Sequence, residues 1–134
     1  MTRHEARELA FILIFEKTFT DDPVQVILEN AGEARNIETD PFAIAAAEGI
    51  EQNMETIDDK IYAHSLKWSK GRISHVAMAI MRLAVYEMLY VEDIPVSVSI
   101  NEAVELAKKY GGDEDASFIN GVLGGISREP ETVQ

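Results

Sequence analysis

Apolar positions recur along most of this chain at intervals of three and four residues, the spacing of a helix buried on one face. Residues 5–19 open with Glu-Ala-Arg-Glu and run into seven apolar residues, Leu9 to Phe15. Such a run alone suits a strand equally well. Its flanks are strong helix formers and no turn residue bounds it, so a helix is expected. Asp22-Pro23 then has the form of a helix start, an acidic cap followed by proline at the first helical position. Val24, Ile27, Leu28 and Ala31 follow as one stripe, with Gly32 and Asn36 near its end. Asp40-Pro41 repeats the signal. Phe42, Ala45, Ala46, Gly49 and Ile50 begin a second stripe that continues through Met54, Ile57, Ile61, His64 and Trp68. The spacing allows one long helix or two joined near Asn53, and His64 on this stripe is expected to be a hydrogen-bonded, partly buried side chain rather than a ligand.

Lys70-Gly71-Arg72 breaks the pattern. From Ser74 to about Tyr90 the chain reads HVAMAIMRLAVYEMLY, apolar almost all round, as expected of a helix at the centre of a bundle. Its charges, Arg82 and Glu87, must reach the surface or find partners, and a structural salt bridge is expected for them. Asp93-Ile94-Pro95 marks a further start, although Ser99-Ile-Asn-Glu102 has capping-box spacing four residues later. Ile100, Ala103, Val104 and Ala107 form the buried stripe. Lys108 and Lys109 complement the helix dipole in the last turn, and Gly111 closes the helix.

The last stripe holds a conflict. Asn120-Gly121 between apolar residues is the strongest short hairpin signal. Yet Phe118, Ile119, Val122, Leu123 and Ile126 keep helical spacing, Asp113 to Asp115 supply N-terminal acids, and Gly124-Gly125 would weaken a second strand. A helix is therefore expected, with Gly121 permitting close packing on its neighbour and Asn120 bonding a nearby loop or helix end. The tail from Arg128 reads as disordered. The whole is an all-α fold.

Composition narrows the function. The 134 residues contain 46% hydrophobic residues, enough for a core, and no cysteine. Disulfides, thiolate metal sites and cysteine nucleophiles are thereby excluded. The apolar run near the N-terminus is too short to span a bilayer and makes a poor signal peptide, so a soluble cytoplasmic protein without membrane attachment is expected. Net charge is −12, which argues against nonspecific nucleic-acid binding. The charge is uneven. Residues 21–71 hold eleven acidic and four basic side chains, whereas residues 1–20 hold three of each. An acidic middle of this kind is either a solubilising surface or a face for a basic protein. No phosphate loop, nucleophile elbow or histidine pair with metal-ligand spacing occurs, and no carboxylate pair is marked out, so neither catalysis nor a metal is expected.

Beyond pattern, AIMRLAVYEMLY, DIPVSVSINEAVELAKKYGG and FINGVL, with Trp68 and Arg72 ahead of them, resemble the C-terminal half of the NusB family of bacterial transcription antitermination factors. RHEARELAFILIFE, residues 3–16, is similar to the family's opening helix, while residues 20–60 match in helical character alone. The resemblance implies about six to seven helices in two packed subdomains, residues 1–70 and 71–127, with a flexible tail at 128–134. It implies no cofactor. It also implies binding of boxA-type RNA together with the ribosomal protein NusE, in a complex on RNA polymerase that suppresses termination in ribosomal RNA transcription. Homodimers occur in the family. On the implied RNA face Arg3, His4 and Arg7 fall on basic positions, Phe15 on an aromatic one, and Glu114 and Phe118 on positions of the last helix.

Physical chemistry permits this assignment. Arg3 and Arg7 stand one helical turn apart, suited to phosphates, and an aromatic ring can stack on an unpaired base. The plain alternatives are surface pairing of the two arginines with Glu8 or other acids, and a place in the core for Phe15 and Phe118. Glu5 and Glu8 offset the two arginines, so the partner protein is expected to supply part of the positive surface. Two other readings stay open: a protein-interaction module with little RNA binding, and an accessory domain of the kind fused to ribosomal RNA methyltransferases.

Overall fold

The structure is a computed structural model that describes residues 2–35, 40–65 and 73–129, with the backbone alone for residues 31–35. Seven α-helices and no strand occur among the described residues: α1 Arg3–Lys17, α2 Val24–Arg35, α3 Pro41–Gln52, α4 Met54–Ala63, α5 His75–Tyr90, α6 Val96–Tyr110 and α7 Asp113–Ser127. Trp68, Arg72 and the expected boundary between residues 70 and 71 lie outside the described residues.

Local chemistry accounts for the helix ends. Thr2 and Glu5 form a capping box: the Thr2 hydroxyl accepts from the Glu5 N–H, and the Glu5 carboxylate accepts from the Thr2 N–H. α1 therefore starts earlier than the apolar run suggests. Asp40 caps α3, with Pro41 at its first position, as the sequence indicates. Asn53 divides α3 from α4, which settles that stripe as two helices. Ser74 caps α5. α6 starts directly after Pro95, so the capping-box spacing at Ser99 is not used. Ser99 lies inside that helix, buried, with its hydroxyl turned to Glu87.

α5 is the axis of the bundle and packs against α1, α3, α4, α6 and α7. Ile80, Met81, Leu83 and Val85 on it are essentially fully buried, together with Leu13, Ile50, Ile57, Ile61, Ile119, Leu123 and Ile126 from its neighbours. Each such side chain contributes about 1.5–3 kcal/mol of burial. One continuous apolar cluster runs through α1 to α7. Arg82 and Glu87 are separated by about 140° around α5, so they bind different neighbours. Arg82 donates to both carboxylate oxygens of Asp58 on α4, at 2.8 and 2.9 Å. Glu87 turns to α1 and α6. Both charges are thus structural partners, as their place on an apolar helix requires.

Gly49 and Gly125 mark close approaches between helices. A side chain at Gly49 would collide with the Tyr86 ring, and a Cβ at Gly125 would sit 2.6 Å from the His64 ring nitrogen. Gly121 does the opposite of what its sequence context suggests. It is exposed, and a Cβ there would meet nothing within 4 Å. Asn120 is exposed beside it. The close-packing glycine of α7 is therefore Gly125, one turn later, because the buried stripe of 119, 122, 123 and 126 turns 121 towards solvent. His64 is partly buried and bonds the Glu129 carboxylate at 2.5 Å, while Lys60 pairs with the same carboxylate at 2.6 Å. Arg128 caps α7 and Glu129 pairs with α4 and its C-cap, so the expected tail does not begin at Arg128, and residues 130–134 lie outside the described residues.

Candidate nucleic-acid interface

The capping box fixes the first turn of α1, and with it the direction of the three basic side chains there. Arg3 is exposed. Its guanidinium lies 4.2 Å from the centroid of the Phe42 ring at the start of α3. His4 is also exposed, with Nδ1 2.7 Å from a carboxylate oxygen of Glu102 on α6. Glu5, read as an offset to the arginines, is committed to the cap. The Thr2 backbone N–H and hydroxyl hold its carboxyl below its ordinary value.

Arg7 departs from its expected place. It is 4% exposed, and neither the RNA surface nor pairing with Glu8 describes it. Its Nε and Nη2 donate to the two carboxylate oxygens of Glu87 at 2.9 and 3.0 Å, and Nη1 stands 3.7 Å from Glu102. Ser99 adds a hydroxyl hydrogen bond to Glu87 at 2.9 Å. The reason is helical phase: Arg7 follows Ala6 on the face that also buries Leu9 and Ala10. That face meets α5, whose Glu87 needs a cation. Among the described residues no buried side-chain polar atom lacks a hydrogen bond, so this buried network is fully satisfied.

Glu8 completes the junction of α1 with α6. Lys109 Nζ stands 2.8 Å from its carboxylate and the Tyr110 hydroxyl donates to it at 2.6 Å. The Lys109 hydrogen bond, then that of Tyr110, draws the Glu8 carboxyl below its ordinary value. Glu8 in turn raises Lys109, while burial and then Glu8 raise the Tyr110 hydroxyl. Lys109 thus has a carboxylate partner on α1 besides its place near the helix dipole.

An aromatic series borders this junction. Phe15 is half-buried and packs on the core, with its ring centroid 6.0 Å from Phe11 and 5.1 Å from Phe19. Phe19 is 62% exposed and meets His75 edge-on at 5.2 Å. At the other end Tyr110 lies 4.9 Å from Phe11. Phe118 is likewise half-buried and packed against the core, and Glu114 is exposed in the first turn of α7. The two phenylalanines therefore combine the core role with a remaining accessible surface.

Arg3, His4 and Arg7 meet around Phe42 and Glu102, whereas Glu114 and Phe118 come from α7, which joins α1 through α6. Phe42, Glu102, Tyr110 and Phe19 are neighbours that sequence reading did not single out. Only Phe19 carried a local signal, the four-residue spacing Phe11, Phe15, Phe19. The others approach from distant parts of the chain. Chemically, the surface offers the Arg3 guanidinium, which has no carboxylate partner among the described residues, with exposed histidines and accessible ring faces, a set suited to phosphate contact and base stacking.

Comparison with known proteins bears on the chain and its fold as a whole. The NusB family profile matches residues 4–128. The transcription antitermination protein NusB of Bacillus subtilis (strain 168) is 42% identical over 131 residues, 98% of each chain. A solved structure of T. maritima NusB superposes with a TM-score of 0.82 at 36% identity, covering 96% of this chain and 92% of that one. A crystal structure of the antitermination factors NusB and NusE in complex with double-stranded RNA gives a TM-score of 0.81 at 25% identity, covering 94% and 97%.

Proposed function

Because the chain belongs to the NusB family, we propose that it is a non-enzymatic transcription antitermination factor that binds boxA-type RNA jointly with the ribosomal protein NusE. In that role it suppresses termination during ribosomal RNA transcription, within a complex on RNA polymerase in the cytoplasm. The observation that carries this reading is likeness to an antitermination protein over nearly the full length of both chains. Arg3 and His4 are the proposed phosphate-side residues. Phe15 and Phe118 are the proposed base-facing rings, with Glu114 beside them. Arg7 acts from beneath, by holding α1 on α5 and α6.

The charge pattern supports joint binding. Three of the basic side chains around this surface already face carboxylates of the same chain: His4 with Glu102, Arg7 with Glu87 and Lys109 with Glu8. The isolated chain therefore offers RNA little uncompensated positive charge, and a basic partner supplies the rest. The same observation favours one competing reading, a protein-interaction module with little RNA binding. A homodimer that covers this face is a third state, and light scattering of the free chain detects it.

Titration of boxA-type RNA with and without NusE, across a range of salt, separates these readings. Joint binding gives tighter RNA association when NusE is present and a loss with Arg3→Ala. RNA affinity that is unchanged by the partner refutes the shared-charge account. Binding of NusE with no RNA association at any salt leaves the interaction module.

A further inference from the structure

Resting on that reading of Arg3 as a phosphate contact, we propose that Phe42 is a positioning residue for RNA binding, holding the Arg3 guanidinium ready over its ring. Phe42 occupies the second position of α3. Its place there is set by the Asp40 cap, whose carboxylate accepts from the Phe42 N–H at 2.8 Å and from the Ala43 N–H at 3.3 Å. The ring is half-buried, yet among the described residues it is not part of the continuous apolar core or of the rings packed on it. What it meets instead is cationic: the guanidinium carbon of Arg3 at 4.2 Å from the ring centroid and that of Arg7 at 5.9 Å.

The two arginines differ in what they have left to give. Arg7 is buried and spends its donors on Glu87. Arg3 is exposed, and among the described residues no carboxylate pairs with it. A guanidinium over an aromatic face is attracted to the ring while its N–H donors remain available at the edge. Ordering that long side chain before RNA arrives removes part of the entropy lost on binding. Phe42 thus contributes to affinity without touching the nucleic acid, and it does so from α3, a helix that sequence resemblance left out of the RNA surface.

The test is a set of anisotropy titrations of boxA-type RNA with the NusE complex at several salt concentrations. The proteins are wild type, Arg3→Ala, Phe42→Leu, Phe42→Trp and the Arg3→Ala/Phe42→Leu double variant. An exposed cation–π contact corresponds to an affinity loss of about two- to five-fold for Phe42→Leu. Phe42→Trp keeps wild-type affinity, because the larger ring preserves the contact. The salt slope of Phe42→Leu stays that of wild type, whereas Arg3→Ala lowers it by about 0.7, the release expected for one phosphate contact on a single strand. In the Arg3→Ala background, Phe42→Leu has no further effect. A loss from Phe42→Leu that persists in that background overturns the proposal, as does full affinity of Phe42→Leu while Arg3→Ala is weakened. If Arg3→Ala itself binds like wild type with an unchanged slope, the phosphate reading of Arg3 fails and this inference with it.

Discussion

Replacing Arg7 by methionine tests whether this arginine is a structural cation. In the folded chain it and Glu87 are 5% and 2% exposed at the side chain, and Arg7 gives Glu87 both contacts of a forked pair. Methionine fills most of the volume but leaves the Glu87 carboxylate buried, with the Ser99 hydroxyl as its remaining hydrogen-bond donor among these partners. Removing one partner of a buried pair costs about 3–5 kcal/mol. That is a large share of the roughly 5–15 kcal/mol that stabilises a typical domain. For a chain of this length each kcal/mol lowers the melting temperature by about 3–5 °C, so a fall of roughly 10–25 °C is expected. Chemical denaturation of wild type, Arg7→Met and Arg7→Met/Glu87→Leu reads the effect. The double variant recovers part of the loss, because no charge is then left buried. Measured below its melting transition, Arg7→Met keeps the wild-type salt slope for RNA, since no phosphate contact has been removed. A cost under about 1 kcal/mol, the size of an exposed pair, refutes the reasoning. So does a salt slope reduced like that of Arg3→Ala.

Other substitutions probe separate features. Gly121→Ala raises stability by about 1 kcal/mol, because the site is open and alanine is the better helix former; a lower melting temperature contradicts the exposed placement. Gly125→Leu lowers the melting temperature, since its Cβ alone already meets the His64 ring at 2.6 Å, and an unchanged value sinks that packing account. Asp40→Ala removes the α3 cap and costs about 1 kcal/mol, measured by urea denaturation. For pH, Glu8 has a lowered folded value relative to its ordinary 4.5. Its contribution is therefore present above about that pH and fades as pH falls through the folded value. Glu8→Gln should flatten this acid limb of the stability profile, and a limb that is unchanged argues against the Lys109 and Tyr110 contacts.

The helical order of this chain is legible in its sequence because the determining interactions are local. Spacing of apolar residues, the Asp-Pro start at 40–41, Ser74 ahead of α5, the acids opening α7 and the lysines closing α6 each act within a turn or two. The Asn120-Gly121 pair lies within α7 because the apolar stripe around it outweighs its local turn preference. The Thr2 and Glu5 capping box is a local signal as well, placed ahead of the apolar run. The need of Glu87 and Arg82 for partners also followed from their place on an apolar helix. Which partners they find did not. Arg7 lies 80 residues from Glu87, and only the packing of α1 on α5 brings them together. That packing decides which arginine of the first helix faces water. The same tertiary choice sets Phe42 under Arg3, Glu102 beside His4 and Lys109 against Glu8. Helical phase also separates Gly121, in open solvent, from Gly125, against His64. Periodicity determines which face of a helix is buried, but not which residue of another helix lies opposite, because side-chain contact across a bundle depends on crossing geometry that no single helix encodes.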